Sequence, residues 1–256
     1  MIRHSFLSAL VLIVLSSFAF AEGKAPAAQA PAAYTSAGID ALTGKDSPLK
    51  EGDRIAFLGD SITQGGAGKG GYLWLIEQAI NERLAGKKIE LVKAGISGHK
   101  VPDLQKRLEK DVTSKKPTIV FIYIGINDVW HSQSGKGTSK ADFEAGLNDI
   151  IKRIKDGGAI VVLATPSVIG EKHDGTNKMD AMLEEYSAIS RKVAKEQGLV
   201  LCDLRKDFID ALKEQNKDNK DRGILTGDTV HLNAAGNKFV ADRCAASLAE
   251  ALKARK

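Results

Sequence analysis

The sequence predicts a three-layer α/β/α sandwich built on a five-stranded parallel sheet. Two observations lead there. Five short runs, Arg54 to Leu58, Ile89 to Lys93, Thr118 to Ile124, Ala159 to Ala164 and Leu199 to Cys202, are aliphatic or β-branched on both faces, as strands buried in a parallel sheet must be. The stretches between them carry apolar residues at helical spacing, and strand–helix alternation of this kind closes into right-handed crossovers that cover both sheet faces.

The elements follow in order. Met1 to Ala21 reads as a secretory signal: Arg3 gives the positive start, Phe6 to Leu15 is almost unbroken apolar sequence, and Ala19-Phe20-Ala21 fits the small-x-small cleavage rule. The apolar stretch is shorter than the roughly 20 residues a spanning helix needs, so an exported product without an integral membrane segment is expected after cleavage. Residues 22–47 are Ala/Pro-rich in their first part and read as a flexible segment. The folded domain is expected over 48–256, about 205 residues, enough for one core and too few for two.

Within the domain, Leu73, Ile76, Ile80 and Leu84 mark the first helix, and Val101, Leu104 and Leu108 the second. Phe143, Leu147, Ile150 and Ile154 mark the third, Met182, Tyr186, Ile189 and Val193 the fourth, and a last helix begins near Asn233. The formal net charge is +5, or +4 once Arg3 leaves with the signal, and the basic residues alternate with acidic ones along helical faces. This excludes a nucleic-acid surface. The two cysteines, Cys202 and Cys244, give no zinc spacing, and export leaves open whether they pair or stay as buried thiols.

Ligands of such folds bind beyond the carboxyl ends of the strands. The first such loop, "LGDSITQGGAGKGG" over 58–71, is rich in glycine, but it is not a phosphate cradle. Thr63 stands where the leading glycine of G-x-x-x-x-G-K-[ST] belongs, and Gly70 where the hydroxyl belongs. What remains is Ser61, held between a strand and a helix. A serine hydroxyl needs a base within hydrogen-bond reach, usually a histidine oriented by a carboxylate. His99, His131 and His173 have no carboxylate arranged as a partner, whereas Asp228-Thr229-Val230-His231 places one three residues before the imidazole. Acyl transfer also needs donors aimed at the developing oxyanion. The Ser61 N–H, the Gly98 N–H in "AGISGH" and the Asn127 side chain in "YIGIND" are the candidates.

"GDSIT", "ISG", "GIND" and "DTVH" come in this order at one edge of the predicted sheet, and here the sequence resembles the SGNH hydrolases, the GDSL-like esterases and lipases. The resemblance spans roughly Arg54 to Leu252. It implies a flavodoxin-like strand order, ester hydrolysis without metal or other cofactor, and roles for five residues. These are Ser61 as nucleophile, His231 as base, Asp228 as the third member of the triad, and Gly98 and Asn127, with Ser61 N–H, as the oxyanion hole. The serine motif departs from the family in reading G-D-S-I, which leaves the serine in place; Asp60 is expected to cap the helix that follows.

The expected substrate is a small-molecule or glycan ester. No long apolar insertion offers an acyl tunnel, and the loops near the site are polar or glycyl, so a short acyl group on a polar alcohol fits best. Trp130 and His131 are candidates for stacking on a sugar, and Lys69 for a further contact. A carbohydrate O-acetylesterase is therefore expected. A lysophospholipase or thioesterase is the enzymatic alternative, and an inert carbohydrate-binding protein on the same fold is the alternative of another class.

Overall fold

The computed structural model describes Met1 and residues 34–255. Apart from Met1, the expected signal over 1–21 and the Ala/Pro-rich stretch up to residue 33 lie outside the described residues. The elements are α1 (Ala37–Thr43), β1 (Arg54–Gly59), α2 (Ser61–Gly66), α3 (Tyr72–Arg83), β2 (Glu90–Gly95), α4 (Val101–Asp111), β3 (Ile119–Tyr123), α5 (Ile126–Trp130), α6 (Lys140–Asp156), β4 (Ile160–Ala164), α7 (Asp180–Gln197), β5 (Val200–Cys202), α8 (Leu204–Gln215) and α9 (Ala234–Lys253).

All five strands pair in parallel, in the order β2-β1-β3-β4-β5, which is the flavodoxin-like order. Burial explains the apolar runs. Every residue of the central β3 is buried, as are Ile55 to Leu58 of β1, because helices cover both faces. Phe57 packs edge-on against Tyr72 and tilted against Phe121, and Tyr72 meets Tyr123 edge-on, so aromatic rings fill the space beside the two middle strands. The edge strand β2 exposes Glu90 and Lys93, charges that discourage pairing with a further strand.

Helices α1, α3 and α9 pack together on one face, and α4, α6 and α7 on the other. The change of face follows from right-handed crossovers: β1 to β2 runs one way along the sheet, and β2 back over β1 to β3 runs the other. The reversal opens a crevice between the carboxyl ends of β1 and β3, where the connecting loops diverge.

Three elements differ from the expectation, the shortest being the single-turn α5, which is too short to carry a helical run of apolar residues. Residues 37–43, inside the segment read as flexible, form α1, capped by Ser36 through the Ile39 N–H, with Ile39 and Leu42 fully buried. Alanine-rich composition hid an amphipathic turn whose apolar residues dock on α9. Helix α8 was also not anticipated, although Leu204, Phe208, Ala211 and Leu212 give it a buried stripe and Phe208 meets Phe239 of α9 edge-on. Cys202 and Cys244 are free, buried thiols, and burial pushes Cys202 up to about 12.

Candidate active site

The turn after β1 is built by close backbone approach. Gly59 and Gly95 are register partners at the ends of β1 and β2. A Cβ on Gly59 would lie 2.2 Å from Thr63 Oγ1, and one on Gly95 only 2.3 Å from the Gln64 nitrogen. Helix α2 therefore lies directly on the strand ends, with Ser61 as its first residue. Asp60 caps it, accepting the Ile62 N–H at 2.9 Å. That carboxyl is buried, and burial pushes its pKa up to about 7 against the opposing pull of the Ile62 N–H.

Ser61 is linked to the other end of the chain. Its Oγ lies 2.8 Å from His231 Nε2, and His231 Nδ1 lies 2.7 Å from Asp228 Oδ2. A carboxylate only accepts, so Nδ1 carries the proton and Nε2 is left to accept from the serine hydroxyl. The segment is a tight hairpin: Thr226 and Leu232 form an antiparallel bridge, and Gly227 N–H donates to the His231 carbonyl at 2.8 Å. Asp228 Oδ1 accepts the backbone N–H groups of Val230 and His231 at 3.1 and 2.7 Å. Partial burial works to raise the Asp228 pKa, but the His231 ring and these N–H groups outweigh it and hold the carboxyl below its ordinary value. The carboxylate and imidazole remain about half exposed, so substrate can reach them from solvent.

Two backbone donors beyond the ends of β1 and β2 stand unused. Neither the Ser61 nor the Gly98 N–H has an acceptor among the described residues. Gly98 has φ of +77°, a conformation glycine adopts without strain. Its loop is tied to α2 by Ile96 N–H to the Gly59 carbonyl at 3.2 Å and Ser97 N–H to Gln64 Oε1 at 2.7 Å. Asn127, nearly fully buried at the start of α5, donates one amide hydrogen to the His99 carbonyl at 3.0 Å and retains a second. Its neighbour Asp128 is completely buried, accepts the Val101 N–H at 3.1 Å, and is pushed up to about 6 by burial.

The remaining expected contacts are less closely tied. Trp130 ends α5, half-buried against the core, with its ring 6.4 Å from that of His131. Lys69 is exposed in the turn after α2. Among the described residues, no hydrogen bond joins Lys69, Trp130 or His131 to Ser61, His231 or Asp228. A cleft of about 250 Å³ opens beside Thr229, lined by Gln133, Ile169, Gly170, Asn177 and Met179 among others. A larger cavity of about 430 Å³ lies at the opposite end of β4 and β5, lined mainly by small and aliphatic residues, and holds none of these groups.

Sequence reasoning missed two residues that shape the site. Glu171 is fully buried and accepts the N–H groups of Ile224, Leu225 and Thr226 at 2.7, 2.7 and 2.5 Å. It thereby anchors the strand that leads into Asp228, while Gly170 N–H holds the Thr229 carbonyl at 2.8 Å. In the sequence it sits in "GEKHDG", which reads as a solvated loop. Arg107 is the other. It lies one turn after Leu104 and directly before Leu108 on the buried side of α4, a position that could have marked it as inward-facing.

A parallel sheet whose switch point gathers these groups, taken with the following likenesses, defines a carboxylic ester hydrolase. The chain belongs to the GDSL-like Lipase/Acylhydrolase family, whose profile matches residues 57–239. It is 30% identical over 213 residues to an acetylxylan esterase of Geobacillus stearothermophilus, covering 75% of this chain and 92% of that one. An uncharacterized lipoprotein of Bacillus subtilis, YqeF, is 26% identical over 212 residues, covering 73% of this chain and 86% of the relative. Among solved structures, the acetyl xylan esterase AlAXEase superposes with a TM-score of 0.73 at 45% identity, over 75% of this chain and 97% of that one. The Geobacillus esterase has been solved as catalytic mutants at a serine, an aspartate and a histidine, the last two three positions apart.

Proposed function

We propose that the protein is an exported serine esterase that removes short acyl groups, acetyl foremost, from carbohydrate esters. The observation that carries this reading is the unbroken hydrogen-bonded chain from Ser61 through His231 to Asp228, and the free Ser61 and Gly98 N–H groups and half-used Asn127 amide support it. Ser61 Oγ attacks the ester carbonyl while His231 Nε2 takes its proton, and Asp228 stabilises the imidazolium without itself becoming protonated. The oxyanion is held by the Ser61 and Gly98 N–H groups and the second Asn127 amide hydrogen, each worth roughly 3 kcal/mol. His231 then protonates the departing alcohol, and water repeats the cycle on the acyl-enzyme.

The cleft beside Thr229 offers Asn177, Lys172 and Asp221 to a hydroxylated leaving group alongside Ile169 and Met179, and the acetylxylan esterase relatives support both the acetyl group and the carbohydrate. Export rests on the leader-like start of the sequence. No helix of the described residues is long and apolar enough to cross a membrane. The test is acetate release from a panel of acetylated xylo-oligosaccharides by wild type and Ser61→Ala. Release by wild type alone is expected. Faster hydrolysis of octanoyl than acetyl nitrophenyl ester would replace this reading with a lysophospholipase-like one, and glycan binding without turnover would replace it with an inert binding protein.

A further inference from the structure

The loop that carries Gly98 is held in an unusual way. Ile96, Ser97 and Gly98 are all exposed, and a Cβ added at Gly98 would meet nothing within 4 Å, so packing does not fix the loop. Its near end is tied to β1 and α2 by the Ile96 and Ser97 N–H groups. At its far end the His99 N–H turns back to the Ile96 carbonyl at 3.3 Å and the Lys100 N–H meets Asp103 Oδ2 at 3.1 Å, while the His99 ring is held by one side chain. Arg107, buried under the ends of β1 and β2, donates from Nε to His99 Nδ1 at 3.0 Å. The other guanidinium nitrogens donate to the Ala94 carbonyl at 2.9 Å, to Asp111 Oδ2 at 3.1 Å and to the Gly59 carbonyl at 2.8 Å. One rigid, planar donor set thus joins the last residue of β1, the end of β2 and the ring of His99.

His99 is the hinge of this arrangement. It follows Gly98 directly, and its carbonyl accepts the Asn127 amide at 3.0 Å. We propose that Arg107 is a positioning residue for the oxyanion site: by holding the His99 ring it fixes the backbone from which the Gly98 N–H is aimed and against which the Asn127 amide is set. This rests on the esterase reading above. Arginine only donates, so Nδ1 of His99 is the unprotonated nitrogen and Nε2 carries the hydrogen. Partial burial and the neighbouring Arg107 charge both lower the His99 pKa, which keeps Nδ1 available as an acceptor.

The test uses three substitutions at His99, because the side chain is partly exposed and its loss leaves the core intact. Asparagine places an oxygen near the position of Nδ1 and keeps the bond to Arg107. Glutamine places one near Nε2 and loses it, and leucine offers neither. The expected order is His99→Asn close to wild type, with His99→Gln and His99→Leu slower in kcat by roughly tenfold or more at little change in KM, since a misplaced donor is felt in the transition state. Full activity of His99→Leu would overturn the proposal, as would rescue by glutamine rather than asparagine, which would give the role to the exposed nitrogen. The ring's tautomer, read by 15N NMR of the unmutated protein, tests the same bond without a variant: hydrogen on Nε2 is expected, and hydrogen on Nδ1 contradicts it. Failure of the esterase reading would show separately, as Ser61→Ala turning over like wild type.

Discussion

Glu171 Oε1 accepts hydrogen bonds from both the N–H and the hydroxyl of Thr226, at 2.5 and 2.9 Å, in the interior of the protein. Together with the bonds to Leu225 and Ile224, this makes one carboxylate the anchor of the hairpin that presents Asp228 and His231. Glu171→Gln keeps the oxygen facing Leu225 and Thr226 but turns an NH2 toward the Ile224 N–H. An unpaired buried donor costs about 1–3 kcal/mol. Urea unfolding should record a loss of that size, and kcat should fall with it because His231 is carried on the loosened hairpin. Unchanged stability would show that the nest does not depend on a carboxylate.

The buried cap at Asp60 makes a pH prediction. Its ordinary carboxyl pKa of 3.8 is raised to about 7 in the folded protein, so between those values the native state holds a proton that the unfolded chain releases. Stability from this group therefore declines as pH rises from about 4 to about 7, then levels off. Asp60→Asn keeps an oxygen to accept the Ile62 N–H but cannot ionise. Urea midpoints of the two proteins should diverge in favour of the variant across that window. Parallel profiles would mean that Asp60 titrates normally.

Helix α1 is part of the fold, with Ile39 fully buried against α9. Ile39→Ala should cost about 2–5 kcal/mol in chemical denaturation, the range for emptying a core site. A loss below about 0.5 kcal/mol, the usual size for a surface substitution, would contradict the docked position.

Strands β1 and β3 were legible because burial on both faces leaves an uninterrupted apolar run; Ser61 and Asn127 drew attention because they closely follow β1 and β3, and Asp228 and His231 because they stand just ahead of α9. Run length does not encode strand order, so the order rested on resemblance. Glu171 and Arg107 were missed for a common reason: a charged residue in a polar stretch reads as solvated unless its partners are known. Those partners are backbone groups 53 to 55 residues away for Glu171 and 48 for Arg107 to Gly59. Helix α8 was within reach, since Leu204, Phe208, Ala211 and Leu212 repeat with helical period.

The most direct test of the central claim is the site of covalent capture by a fluorophosphonate, located by peptide mass spectrometry. The Ser61–His231–Asp228 chain predicts one adduct, on the peptide containing Ser61, absent in Ser61→Ala and formed far more slowly in His231→Ala. An adduct on any other residue, or labelling that persists in Ser61→Ala, would contradict the account.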